Sequence, residues 1–317
     1  MVASIAQSRS RRLSRDDVCP ATDGREAIAV GISGDGRVTV DFGGNTSGAY
    51  AVTEDGLGHV VLAGISSSGS AVDMAVLRLT DTGALDTTFS GDGRTTVDFA
   101  GDSDEAGSVA VDGLGRIVLG GFTNIGGVID FAVARLTDAG ALDSAFGSGG
   151  KATVNFGGTD EIAAGMAVDG LGRIVLAGYA YFGNTYDFAI ARLTADDPPA
   201  FGTDGKATNP LPGDQFGYAV AVDRFGRTLV AGELGGDFAV TRFTAAGVVD
   251  ASFGVGGTAT INFPGRRVPG RGERRGRGGL DRDGGRGGWQ RARQGVPLDR
   301  LRGSAQLQRF RRVYRRG

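Results

Sequence analysis

Histidine and cysteine are almost missing from this chain: its 317 residues include one of each, His59 and Cys19. A single cysteine excludes an intrachain disulfide framework and leaves the redox compartment undetermined. A single histidine excludes a His-based metal cluster within one chain, and any Ser-His-Asp or Cys-His system would have to use His59. Proline is also scarce, at 8 residues, so the 58 glycines belong neither to collagen nor to a Pro-rich linker and read as frequent tight turns. No run approaches the roughly 18 consecutive apolar residues of a membrane span. The opening MVASIAQSRSRRLSRDD lacks the apolar stretch of about 7 to 15 residues that a secretory signal uses. The expectation is a turn-rich, all-β, non-enzymatic chain with no export signal as written, no cofactor and no metal.

The formal net charge of -2 hides two unequal parts. Residues 1–265 carry 17 Arg plus Lys against 32 Asp plus Glu, and residues 266–317 carry 17 Arg against 4 acidic residues. An acidic body at -15 is followed by a basic tail at +13.

A repeat organises the body. EDGLGHVVLAG ending at Gly64 returns as VDGLGRIVLGG at Gly121, VDGLGRIVLAG at Gly178 and VDRFGRTLVAG at Gly232, in steps of 57, 57 and 54 residues. VDMAVLRL (72–79), IDFAVARL (129–136), YDFAIARL (186–193) and GDFAVTRF (236–243) keep the same beat. So do TVDF (39–42), TVDF (96–99), TVNF (153–156) and TINF (260–263), with Asn209-Pro210-Leu211-Pro212 standing in the third place. Each unit therefore holds four short β-type runs, taken in the order TVDF, a run ending in AVD, RIVLAG and DFAVARL. Asp-Gly-Leu-Gly at 112–115 and 169–172 supplies the positive φ that a tight hairpin needs. Ile117-Val118-Leu119 is apolar at successive positions, so both sheet faces are covered. A four-stranded sheet stacked on its neighbours is a propeller blade. A solenoid rung has a shorter period, and a sandwich needs more strands per core. Four units plus one extra strand predict an incomplete or open β-propeller.

LDTTF (85–89), LDSAF (142–146) and VDASF (249–253), with DFAVARL and the TVDF strand, resemble the delta-60 repeat, a bacterial tandem repeat also catalogued as a β-propeller domain of unknown function. The resemblance covers about 38–265, and the third unit departs with Asp196-Asp197-Pro198-Pro199-Ala200-Phe201. It implies an architecture, often in large exported or cell-surface proteins, and no assigned activity. The division expected is a poorly defined segment at 1–37, repeats at 38–265 and an Arg/Gly-rich tail at 266–317.

Features present in every unit point to structure, and features held by one unit point to a ligand. Arg78, Arg135, Arg192 and Arg242 recur, as do Asp55, Asp112, Asp169 and Asp223; they read as a ring of charges at a channel mouth or as Arg–Asp pairs and turn caps. The segments ISSSGSA, FTNIGGV, YAYFGNT and ELGG differ between units. Tyr179, Tyr181, Phe182, Asn184 and Tyr186 place aromatic faces and an amide on one loop, fit either to stack on a sugar or partner surface or to pack against the next blade. Asp102, Asp104, Glu105, Asp160, Glu161 and Asp214 offer hard oxygen ligands, but without a calcium-loop pattern they read as solvated turn carboxylates. Gly147 to Lys151 (GSGGK) lacks the Ser or Thr of a phosphate loop.

The tail has two readings. Arg-Gly-Gly runs with Trp289, Phe310 and Tyr314 fit a disordered RNA-binding arm. Alternatively, the tail is a frame error. With synonymous codons GGT CGC GGT GGA for residues 276–279, a start one nucleotide later encodes VAVD, and continuing through Gly287 permits VAVDSTGTVVAG. That run ends 55 residues after Gly232, and residues 265–275 can be reread as GDEFPGAASGA; beyond about residue 298 the match fades. Arg outnumbers Lys 32 to 2, as GC-rich coding favours. The function expected is a non-catalytic repeat scaffold or binding module for an unknown protein or glycan, with RNA binding through the tail as the alternative.

Overall fold

The computed structural model describes residues 38–43, 46–100, 103–194 and 201–262. The N-terminal 37 residues, Asp196–Ala200 and the Arg/Gly-rich tail lie outside these described residues. Two units divide the chain, Met1–Arg266 and Arg267–Gly317, and everything below concerns the first.

The sixteen elements of the described residues are all strands, grouped as four antiparallel blades, the first two joined into one eight-stranded sheet by a single parallel pairing of Val72 with Ser103. The first blade holds β1 (Thr46–Glu54), β2 (Val60–Ser68), β3 (Ala71–Leu79) and β4 (Arg94–Val97). The second holds β5 (Ser103–Val111), β6 (Ile117–Ile125), β7 (Val128–Leu136) and β8 (Lys151–Val154). The third holds β9 (Glu161–Val168), β10 (Ile174–Tyr181), β11 (Tyr186–Leu193) and β12 (Lys206–Asn209). The fourth holds β13 (Gln215–Val222), β14 (Thr228–Leu234), β15 (Asp237–Phe243) and β16 (Thr258–Ile261). The first strands of successive blades, β1, β5, β9 and β13, neighbour one another, so the run ending in AVD is the inner strand.

The phase expected from the sequence is corrected. TVDF at 96–99 pairs backwards with β3 (Met74 opposite Val97), so it closes its blade instead of opening the next. Consequently TVDF at 39–42 belongs to none of the four blades and forms no strand. In the third unit β12 still forms, because Lys206 to Asn209 pair with β11 before Pro210 interrupts the ladder.

Glycine at Gly64, Gly121, Gly178 and Gly232 has one cause in every blade. The inner strand carries a bulge beside each of them, and a Cβ there would strike the inner-strand carbonyl oxygen of Gly48, Glu105, Ile162 or Phe216. The Asp-x-x-Gly turns behave as expected: Gly58, Gly115, Gly172 and Gly226 have φ of 85°, 76°, 75° and 73°.

Three apolar cores fill the three joints between successive blades. Val61, Met74, Val76 and Phe89 of the first blade meet Ile117, Leu119 and Ala132 of the second. Val118, Phe131 and Phe146 meet Ile174 and Leu176, and Val175, Phe188, Ile190 and Phe201 meet Val230 and Phe243. No such core joins the fourth blade to the first among the described residues, so the propeller is open. The fourth blade's outward face is accordingly more exposed, Phe238 at 67% and Ile261 at 59%.

Candidate functional site

The two ends of the blades differ in what their carboxylates do. At the end carrying the turns between first and second strands, acids are matched with cations. Asp112 Oδ1 accepts the N–H groups of Leu114 and Arg116, and its Oδ2 accepts Arg116 Nε at 2.7 Å. Asp169 with Arg173 and Asp223 with Arg227 repeat this at 2.6 Å. In the first blade His59 replaces the arginine, with Nδ1 2.7 Å from Asp55 and Nε2 4.0 Å from Asp86. The one histidine thus serves a structural turn and is paired to no nucleophile.

The second arginine series is buried. Arg78, Arg135 and Arg242 direct Nε to Asp86, Asp143 and Asp250 at 2.7, 2.8 and 2.8 Å. Each guanidinium also lies over the last aromatic of its motif, at 5.1 Å from Phe89, 4.7 Å from Phe146 and 4.7 Å from Phe253. Both recurrent charge series are therefore pairs and turn caps, except for Arg192, which lies 4.7 Å from the Phe201 ring and donates to the Ala245 carbonyl. Backbone N–H donors and the adjacent cations hold Asp55, Asp86, Asp143 and Asp169 below the usual carboxylate range, against the opposing effect of burial.

At the opposite end the acids face few cations, and several are buried. Asp104 and Glu161 are fully buried and Glu105 is 5% exposed, which corrects their reading as solvated turn residues. Asp104 accepts the Phe99 N–H at 2.6 Å, and Glu161 accepts those of Phe156 and Gly158 at 2.7 Å. In the third joint Gln215 takes the same place and reverses the polarity, donating Nε2–H to the Asn209 carbonyl at 2.6 Å. One residue per joint thus clamps the loop arriving from the preceding blade. Burial raises Asp104, Glu161, Asp130 and Asp187, and pushes Glu105 to about 7.

The first joint alone gathers three carboxylates. Asp73, Asp98 and Asp104 each offer an oxygen within 4.8 Å of the others, the residues best placed among those described to hold a cation. The corresponding acids elsewhere receive an amide: Asn155 Nδ2 donates to Asp130 at 2.8 Å and Gln215 Nε2 to Asp187 at 3.3 Å. Lys151, from the rejected phosphate-loop motif, reaches back to the Asp98 carbonyl at 2.9 Å.

At this same end lie the hairpins joining second and third strands, and the third differs from the rest. The other three are closed by two residues, between Ser68 and Ala71, Ile125 and Val128, and Leu234 and Asp237. Gly126-Gly127 and Gly235-Gly236 have positive φ at both positions, as the tightest hairpins need. In the third blade the closing pair is Tyr181 with Tyr186, leaving a four-residue loop, Phe182 to Thr185, held by the Phe182 N–H to Thr185 carbonyl bond at 3.1 Å.

The five aromatic and amide candidates therefore do not share one loop. Tyr179 and Tyr181 end β10, Tyr186 begins β11, and only Phe182 and Asn184 lie in the loop. Four rings gather there: Tyr179 and Tyr186 at 5.5 Å, Tyr181 and Tyr186 at 4.8 Å, and Phe216 of the inner strand β13 at 5.1 Å from Tyr179 and 5.0 Å from Tyr186. Tyr179, at 8% exposed, belongs to the packing of the joint. Tyr181 and Tyr186 are half-buried, and Phe182 and Asn184 are exposed. Polar groups frame the rings: the Asp214 carboxylate accepts the Tyr186 N–H at 3.2 Å, and the Gly183 carbonyl accepts the Tyr181 hydroxyl at 2.7 Å. Sequence reasoning missed Phe216, whose place is held by Gly48, Glu105 and Ile162 in the other blades, so no repeated motif marks it.

No curated protein matches this sequence. Among solved structures, a protein of unknown function from Bacteroides caccae aligns at a TM-score of 0.36 and 13% identity, over 74% of this chain and 80% of that one. PorZ, an essential surface component of the type-IX secretion system of Porphyromonas gingivalis, aligns at a TM-score of 0.35 and 11% identity, over 68% of this chain and 30% of PorZ. In the described residues no helix is long and apolar enough to cross a membrane. Three segments, 58–89, 115–146 and 172–197, match the sequence model of the β-propeller domain of unknown function DUF5122. These segments start in the turn before the second strand and run on past the third, covering the same part of the first three blades, and the first three repeats are accordingly similar to that β-propeller domain.

Proposed function

We propose that this chain is a non-catalytic binding module that presents the aromatic hairpin of its third blade to an extracellular glycan. The observation that carries the reading is the break in symmetry. Three hairpins at this end are tight turns, and one is a longer loop carrying an exposed Phe182 and Asn184 beside the half-buried rings of Tyr181 and Tyr186. Aromatic faces flanked by an amide, a carboxylate and carbonyl groups suit a sugar, whose C–H faces stack while its hydroxyls exchange hydrogen bonds. Elsewhere His59 and the arginines are committed to turns and joints, which favours a binding role over catalysis. An exported or cell-surface location accords with such a ligand.

The test is a glycan array followed by titration calorimetry of the best ligand. Tyr181→Ala and Phe182→Ala are expected to weaken binding by about tenfold each, the equivalent of about 1.4 kcal/mol. Leu114→Ala, at an exposed turn of the opposite end, is expected to leave it unchanged. Capture indifferent to the Tyr181 and Phe182 changes, or no glycan captured at all, removes this reading.

A further inference from the structure

In the first and third joints the incoming blade docks through one turn. Arg78 Nη1 donates to the Asp138 carbonyl at 2.7 Å and the Ser90 N–H to the Ala139 carbonyl at 2.8 Å. Two blades on, Arg192 Nη1 donates to the Ala245 carbonyl at 2.8 Å and the Gly202 N–H to the Ala246 carbonyl at 2.7 Å. The turns are TDAG (137–140) and TAAG (244–247). Their glycines sit so close to Phe89 and Phe201 that a Cβ would collide with the ring or with the residue after it.

The fourth blade keeps every receiving part. Arg242 lies over Phe253 and pairs with Asp250, as in the first two blades. Its outward apolar residues occupy positions that are covered elsewhere: Phe238 is 67% exposed where Met74, Phe131 and Phe188 are 0%, and Ile261 is 59% exposed where Val97 is 2%. Phe253 is half-buried, whereas Phe89, Phe146 and Phe201 are at most 2% exposed.

We infer that this face is the seat of a fifth blade of the same kind, encoded by the codons of residues 266–317 read one nucleotide later. The shifted reading that residues 276–287 permit, VAVDSTGTVVAG, would supply an inner strand end, a turn and a second strand. What the seat calls for next is a turn of the form Thr-x-x-Gly. Codons GAC CGC CTC CGG GGC for residues 299–303, read one nucleotide later, encode TASG. Its threonine falls 20 residues after the aspartate of VAVD, against 21 from Asp223 to Thr244 in the fourth unit. The structure defines the required turn, and residues 299–303 permit it in the shifted frame, one residue short of the fourth unit's distance.

The experiment compares amide hydrogen exchange of β15 and β16 in three full-length chains: the present one; one expressed after deletion of a single nucleotide in the Gly265 codon; and one carrying a second copy of residues 99–155 after Asn262. Exchange in Asp237–Phe243 is expected to slow by at least about tenfold in both extended chains, as strands become interior. Slowing only with the copied second blade would retain the seat and overturn the shifted codons as its occupant. No slowing in either chain would overturn the seat itself.

Discussion

Glu105 stands on β5 where Ile162 and Phe216 stand on β9 and β13, an acid in an apolar place. Burial raises it from 4.5 to about 7. Between those values the folded chain binds more protons than the unfolded one, so stability falls as pH rises through that window. Glu105→Gln is expected to raise stability at pH 7.5 by about 2 kcal/mol and to flatten the slope between pH 4.5 and 7. Thermal melts across that range check it, and an unchanged slope would assign the pH dependence to other groups. Asp86, Asp143 and Asp169 act in the opposite sense: their pKa values are depressed, so their contribution is present above the ordinary value of 3.8 and is lost as pH falls through the lower folded values. Gly121 is a second single-residue case. Gly121→Ala drives a methyl into the Glu105 carbonyl at the bulge and is expected to cost about 3 kcal/mol or more in urea unfolding, whereas the exposed Gly113→Ala is expected to cost under about 1.

Strands and first turns were the most legible elements, because each rests on local chemistry repeated four times: the Asp and Gly of the first turn and the continuous apolar run of the second strand. Blade phase was not legible, since TVDF lies nearer in sequence to the strand that follows it than to β3, with which it pairs, and only pairing decides. The clamps formed by Asp104, Glu161 and Gln215 were hidden for another reason. Three different side chains perform one task, so their repetition is functional and not visible in letters. The Arg–Asp pairs were legible as a type, and the structure separates them into two. Arg135 is 2% exposed beside Asp143, and Arg227 is one-third exposed beside Asp223. Arg135→Ala is expected to lose about 3 kcal/mol, through the lost packing over Phe146 and an Asp143 left with Arg116 at 3.6 Å, while Arg227→Ala is expected to lose under about 1. Paired chemical denaturation curves distinguish the two, and equal losses would mean that burial is not what sets the worth of these pairs.

At the scale of the molecule, stability is carried by joints between neighbours, as in any repeat array. The second and third blades are each sandwiched by cores on both sides, and the fourth by one. Hydrogen exchange is therefore expected to be slowest in β6 and β10 and faster in β14, with uniform protection across these three arguing against local joints. Near-identical units carry a hazard, because a strand from one blade can pair in the place of another. The joint clamps answer it. Asp104 reaches one backbone N–H, the longer Glu161 reaches two, and Gln215 offers a donor to a carbonyl. An inner strand that entered the wrong joint would present an acceptor to an acceptor, or a side chain of the wrong length. The second, third and fourth blades thus each carry an address, written in one buried residue, that tells the blade which neighbour comes before it.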